Sequence, residues 1–179
     1  MKNQLIATLV AGLLLFVWQF LSWSLLSVHA DQFQHTDQQD TIMQVLSQHL
    51  KEGTYMMPLP KPGSSQEEQQ AYMESQGGKP WAFVSYHASM STDMGMNMFR
   101  GFAVDLVAAF LLIWLLLKVQ NLDFKTALLS SLAVGGIGYL TIPYLNSIWF
   151  DNNSMGYLID WLVQWGVVGA WLGWWLTRK

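Results

Sequence analysis

Four long apolar runs constrain the fold of this chain more than any other feature. They cover residues 5–28, 101–119, 126–149 and 157–176. An α-helix rises by about 1.5 Å per residue, so about 20 apolar residues cross a hydrocarbon core of about 30 Å. Each run is close to that length, and a chain of 179 residues has too little other material to bury four such helices in a soluble core. The sequence therefore predicts an all-α integral membrane protein with four transmembrane helices.

The composition agrees with a membrane protein. Hydrophobic residues make up 52% of the chain and charged residues only 12%, which is low for a soluble domain. The formal net charge is −3 and the basic residues are dispersed, so no basic patch for nucleic acid forms. The expected partners are therefore the lipid bilayer and other membrane-embedded chains, not nucleic acid.

Basic residues near the ends of the runs predict the orientation. If the four helices alternate in direction, one side of the membrane receives Lys2, Lys118, Lys125, Arg178 and Lys179. The positive-inside rule then places both termini in the cytoplasm and residues 29–99 outside it. We expect a multi-pass protein of the bacterial inner (cytoplasmic) membrane. The first run is interpreted as an uncleaved signal anchor; a signal peptide cleaved after Val28-His29-Ala30 is the alternative.

These patterns divide the chain into seven segments. They are the first transmembrane helix (1–28), an extracytoplasmic cap (29–99), the second transmembrane helix (100–119), a cytoplasmic turn (120–125), the third transmembrane helix (126–149), an outer loop (150–156), and the fourth transmembrane helix with the cytoplasmic end (157–179).

The cap between the first two transmembrane helices is predicted to be small and helical. Thr36-x-x-Gln39 and Ser65-x-x-Glu68 each have the pattern of a helix capping box, and residues 81–86 are expected to be extended. The chain has no cysteine, so no disulfide stabilises the cap. His29, His35 and His49 lack the spacing of a zinc site and are expected to be solvated.

Two carboxylates interrupt the apolar runs, in the stretches GFAVD (101–105) and GYLID (156–160). Ionisable groups within membrane helices are costly and mark a functional-site hypothesis. Both stretches begin helices that enter from the outside, so Asp105 and Asp160 are expected about one turn deep and at equal depth. We predict a polar cluster in the outer half of the bundle, formed by Asp105, Asp160, Gln164, Gln19 and Arg100.

The same pair of stretches suggests an internal repeat. Residues 5–12 (LIATLVAG) align with residues 128–135 (LLSSLAVG), and each aligned helix precedes one of the two Asp-containing helices. A duplicated helical hairpin would leave this pattern, with the cap inserted into the first copy. Chance similarity between transmembrane helices is the alternative.

Small residues at spacings of three and four positions predict close helix packing. The set comprises Ser131, Gly135 and Gly138 on the third helix and Gly166, Gly169 and Gly173 on the fourth. Gly169-x-x-x-Gly173 is a literal GxxxG motif, which allows two helix backbones to approach closely. One of these surfaces could instead contact another subunit, giving a homo-oligomer or a membrane-protein complex.

Soft metal ligands are concentrated before the second helix, at His87, Met90, Met94, Met96 and Met98. Thioether and imidazole donors suit Cu(I), whereas the same methionines can simply fill gaps or cover apolar surface. We expect no cofactor; copper bound by these residues is the alternative.

No nucleophile elbow, metalloprotease motif or phosphate loop occurs in the sequence, so we expect no enzyme activity. The predicted function is a non-catalytic scaffold or accessory subunit of the inner membrane. The alternative is a small transporter or proton-coupled carrier that uses Asp105 and Asp160. A second alternative is an extracytoplasmic copper-handling protein.

Overall fold

The computed structural model describes residues 2–178, which form two compact units. One unit contains the chain up to Gln34 and from Asp93 onwards, and the other contains His35–Thr92. Met1 and Lys179, the ends of the predicted first and last segments, lie outside the described residues. In chain order the elements are α1 (Lys2–Ser24), α2 (Gln39–His49), β1 (Gly53–Met57), α3 (Gln66–Ser75), β2 (Ala82–Tyr86), α4 (Met94–Leu116), α5 (Phe124–Tyr139), α6 (Leu145–Phe150) and α7 (Met155–Thr177).

The chain is mostly helical, and several helices are suited to a membrane. Among residues 2–178, three helices are long and apolar enough to cross one: Gln4–Ser24, Met94–Leu116 and Phe124–Phe150. The helix α7 has 23 residues, carries Asp160, Gln164 and five tryptophans, and is not one of these three helices. A membrane-spanning role for α7 therefore stays a prediction.

The third predicted span runs unbroken from Phe124 to Phe150. Its start is capped by Asp123, whose Oδ1 accepts a 2.7 Å hydrogen bond from the Thr126 backbone N–H. This hydrogen bond holds the pKa of the Asp123 carboxyl below its usual value. Pro143 lies inside this span, where the chain passes through a π-helical segment at Leu140–Tyr144 and continues as α6. The wider π turn accommodates a residue that has no N–H to donate.

The helices of the first unit pack in the order α4, α1, α7, α5. The most extensive contacts join α5 with α7 and α1 with α4, while α4 and α5 touch only sparsely. Fully buried apolar side chains come from all four helices: Ala7, Ala11, Leu15, Ala109, Leu112, Ile113, Leu116, Ala127, Val168 and Leu172. They lie mainly in the half of the unit that contains the α4–α5 turn. The buried polar residues Ser22, Asp105 and Asp160 lie towards the opposite half.

Small residues set the distance between α5 and α7. A Cβ added at Gly169 would lie 2.8 Å from Ser131 Cβ, and one at Gly173 would lie 2.9 Å from Phe124 Cδ2. A Cβ added at Gly135 would lie closer still to the ring of Trp165. Gly166 has one ordinary contact, 3.9 Å from Leu132, and the Cβ position of Gly138 meets no described atom within 4 Å. Thus the predicted small-residue set divides into close contacts and open positions.

The second unit combines two helices with a small sheet. Strands β1 and β2 pair antiparallel, with Gly53 opposite Tyr86 and Met57 opposite Ala82. The capping box at Ser65 and Glu68 is present, with hydrogen bonds in both directions. The predicted box at Thr36 is wrong. The helix α2 begins after Gln38. The Thr36 Oγ1 accepts a hydrogen bond from the backbone N–H of Gln38, because a threonine hydroxyl can also bind the backbone two residues further along the chain.

Candidate functional site

Asp160 lies near the start of α7 and is 7% exposed. Its Oδ1 accepts hydrogen bonds from Trp18 Nε1 at 2.9 Å and from Ser22 Oγ at 2.5 Å. Its Oδ2 lies 2.8 Å from His29 Nε2. Both carboxylate oxygens are therefore bound, and every partner comes from α1 or from the segment that follows it.

His29 is 5% exposed, so the expectation of a solvated histidine is wrong. Its ring stacks on Trp23, with centroids 3.9 Å apart and an interplanar angle of 7°, and meets the edge of Tyr157. Gly156 makes room for the ring, since a Cβ there would lie 2.7 Å from His29 Nδ1. The sequence holds one indication of this role: His29 follows the first apolar run, at the membrane side where α7 begins.

Asp105 lies in the middle of α4 and is 5% exposed. Gln19 Nε2 donates a 2.9 Å hydrogen bond to its Oδ1. The other oxygen, Oδ2, is buried and has no hydrogen-bond partner among the described residues. Helix α1 thus contacts both carboxylates, Asp105 through Gln19 and Asp160 through Trp18 and Ser22.

The position of Asp105 within its helix differs from expectation, whereas Asp160 lies about one turn into α7 as expected. Asp105 was placed one turn inside its helix, but α4 begins at Met94, about three turns before Asp105. The stretch from Met94 to Phe99 was assigned to the cap, yet it belongs to the helix, whose start is capped by the Asp93 side chain at the Met96 N–H. Measured along α1, the partners Gln19 and Ser22 lie within one turn of each other, so the carboxylates sit at similar levels.

A cleft of about 370 Å³ adjoins this cluster. Its wall includes Gln19 and Trp23 of α1, Gly138 of α5, Pro143 of the π-helical segment, and Asp160 and Gln164 of α7. Gln164 Oε1 is buried there, and no described residue donates a hydrogen bond to it. The structure therefore brings four of the five predicted cluster residues together.

Arg100, the fifth, is not part of the cluster. It is exposed, and among residues 2–178 it forms no ion pair with either aspartate. Its side chain precedes Asp105 by five positions, so it leaves the helix on a different side.

The proposed copper ligands are divided between the two units. His87 and Met90 line a cavity of about 550 Å³ in the second unit together with Met43. Met94, Met96 and Met98 are exposed in the first two turns of α4. Helix residues two positions apart point roughly 200° apart, so Met96 faces away from the other two. Among the described residues there is no group of three or more His, Cys, Asp or Glu that could hold a metal, and copper binding stays a prediction.

Comparison with known proteins provides no family for this chain. No protein-family model, no curated protein and no solved structure matches it. Any functional proposal therefore rests on the buried carboxylates and the cleft.

Proposed function

We propose that this protein is a non-catalytic scaffold or accessory subunit of a bacterial inner membrane, with four transmembrane helices and both termini in the cytoplasm. The observation that carries the proposal is the complete set of donors around Asp160. Trp18, Ser22 and His29 occupy both of its oxygens and join α1 and the following segment to α7.

A carboxylate bound in this way stabilises a fold. Buried polar groups are costly unless they are hydrogen-bonded, and each missing partner costs about 1–3 kcal/mol. With three partners from α1 and the segment that follows it, most of the acceptor capacity of Asp160 is used inside the chain. The arrangement supports a fixed joint between helices.

The duplicated hairpin remains part of the proposal. What supports it is that α1 packs most extensively on α4 and α5 on α7, so each aligned helix pairs with the Asp-containing helix that follows it. In each pair a glycine makes a close contact, Gly12 with Leu106 and the aligned Gly135 with Trp165. The two contacts are not equivalent, since Trp165 lies about one helical turn further along its helix than Leu106 when the GFAVD and GYLID stretches are superimposed.

The scaffold proposal is tested by the particle that the protein forms in its native membrane. Extraction with a mild detergent followed by native mass spectrometry should give a complex heavier than the 20.4 kDa chain, either a homo-oligomer or an assembly with other membrane proteins. Asp160→Asn, which keeps one acceptor oxygen, should preserve the complex better than Asp160→Ala. A purely monomeric particle would contradict the proposal.

A small carrier is the second candidate, because two acceptor atoms are left unused. Asp105 Oδ2 and Gln164 Oε1 are buried without hydrogen-bond donors among the described residues. Unpaired polar atoms inside a membrane protein can serve a transported proton or cation. Proteoliposomes that show a proton flux abolished by Asp105→Asn would favour the carrier over the scaffold.

A further inference from the structure

The cleft beside Asp160 has no role in the proposed scaffold function. Helices α1 and α5 both pack on α7, and the cleft lies between them with α7 as its floor. Its wall is aromatic, with Trp23, Tyr139, Tyr157 and Trp161. The π-helical segment Leu140–Tyr144 contributes Ile142 and Pro143, and such segments occur frequently at functional sites.

The polar atoms of the cleft are suited to a hydrogen-bond donor. Gln164 Oε1 is buried and has no donor within the described part of the chain. Asp160 lines the same space, and the lining residues that the structure describes include no lysine or arginine. A ligand that supplies donors would satisfy the Gln164 oxygen and lie beside the Asp160 side chain.

The partners of Asp160 leave the cleft without a basic side chain beside the carboxylate. Its oxygens are in contact with the Trp18 indole, the Ser22 hydroxyl and the His29 imidazole. Among residues 2–178 no lysine or arginine forms an ion pair with it.

The size of the cleft indicates an organic group and not a bare ion. A volume of about 370 Å³ lies within the range of small-molecule pockets, roughly 300–1,000 Å³. Aromatic walls with one carboxylate attract organic cations through the negative faces of the rings. A metal ion would instead need several converging oxygen ligands.

The geometry points to a binding site for an organic ammonium group in the cleft between α1 and α5. The ammonium lies near Asp160, donates to Gln164 Oε1 and contacts the aromatic wall. Its source is either the headgroup of an amine-bearing phospholipid or a soluble amine. This site goes beyond the scaffold function, which does not depend on it.

Two glycines offer a matched pair of variants. At both Gly138, which lines the cleft, and Gly101, which does not, an added Cβ meets no described atom within 4 Å. Gly138→Leu should fill the cleft without disturbing the helices, and Gly101→Leu is the control. Gln164→Leu removes the acceptor while keeping a similar volume.

The test uses the purified full-length chain. Phosphatidylethanolamine is titrated in detergent and followed by native mass spectrometry, with phosphatidylglycerol as the lipid without an ammonium group. Ethanolamine is titrated calorimetrically into phosphatidylglycerol nanodiscs that contain the protein. Saturable binding of one phosphatidylethanolamine supports a lipid source, and saturable binding of ethanolamine supports a soluble source. In either case Gly138→Leu and Gln164→Leu should weaken binding about tenfold or more, while Gly101→Leu leaves it unchanged.

Three results would overturn the proposal. They are the absence of saturable binding by either amine, equal binding of phosphatidylglycerol, and an affinity of Gly138→Leu equal to that of Gly101→Leu. Because the scaffold test measures the mass of the native particle, it can succeed or fail independently of these titrations.

Discussion

At the scale of single residues, His29 shows how a polar side chain becomes structural. It contacts Asp160 through Nε2, stacks on Trp23, and occupies the space that Gly156 leaves. Asp160 in turn depends on it, since Oδ2 has no other hydrogen bond among the described residues. The pair therefore couples the segment after α1 to the start of α7.

Removing the imidazole should destabilise the helical unit. His29→Leu leaves Asp160 Oδ2 buried without a donor, and we expect a loss of about 1–3 kcal/mol in the free energy of unfolding. Thermal unfolding of the purified protein, followed by circular dichroism, measures this loss. His49→Leu is the control because His49 is exposed, and it should change stability by less than about 0.5 kcal/mol. Equal effects of the two variants would refute a structural role for His29.

At the scale of elements, the distance between α5 and α7 is set by glycines of α7, which have no side chain to hold the helices apart. Ser131 of α5 lies 2.8 Å from the position that a Cβ at Gly169 would take. Phe124 of α5 lies 2.9 Å from the position that a Cβ at Gly173 would take. Helices in lipid gain little from apolar burial against each other, so close backbone approach contributes through van der Waals contact. The interface is thus sensitive to single methyl groups.

Two alanine substitutions on α7 separate close packing from helix propensity. Gly169→Ala places a Cβ 2.8 Å from Ser131 Cβ and should lower the free energy of unfolding by about 1–3 kcal/mol. Gly166→Ala meets only an ordinary contact at 3.9 Å and should leave stability unchanged or raise it by up to about 1 kcal/mol. Unfolding titrations in denaturing detergent compare the two. A larger loss of stability in Gly166→Ala than in Gly169→Ala would contradict this description of the α5–α7 interface.

The helix cap at Asp123 should make stability depend on pH. The hydrogen bond to Thr126 lowers the folded-state pKa of Asp123, so its stabilising contribution is fully present above the unfolded-state pKa. That contribution is lost as the pH falls through the lowered folded-state pKa. Asp123→Ala should lower the Tm at neutral pH, and the difference from wild type should narrow towards about pH 3. Asp123→Asn is the control, because it retains a capping oxygen that does not titrate. A Tm difference between Asp123→Ala and wild type that stays constant across this pH range would contradict the assignment.

At the scale of the whole molecule, the distribution of basic residues predicts how the chain is threaded through the membrane. The turn after α4 is expected in the cytoplasm, whereas the loop before α7 and the cap are expected outside. Because the chain contains no cysteine, single introduced cysteines report their own side without background labelling.

Labelling of intact cells with a membrane-impermeant maleimide tests this threading. Asn152→Cys and Gln48→Cys should react without lysis, and Gln120→Cys should react only after the membrane is opened. All three positions are exposed in the structure, so a lack of reaction reports sidedness and not burial within the unit. Labelling of Gln120→Cys in intact cells would show that the orientation is inverted.

Much of the candidate site was predictable, for identifiable reasons. Asp105, Asp160, Gln164 and Gln19 stand out because each is polar within an apolar run. Trp18 and Ser22 do not stand out, since tryptophan and serine are ordinary near the ends of membrane helices. His29 was missed because its burial depends on contacts with Trp23, Gly156 and Tyr157, which are close only in the folded chain.

The sequence by itself determined the mostly helical character and the positions of the apolar helices, because hydropathy and helix length are local properties. It also placed each carboxylate on its helix. Only the tertiary structure decided that Asp160 binds three donors, that one oxygen of Asp105 has no hydrogen-bond partner among residues 2–178, and that a cleft opens beside Gln164. These features depend on which helix faces rotate towards each other and how closely small residues allow them to approach. That choice arises from packing between distant segments, and periodicity within one segment does not encode it.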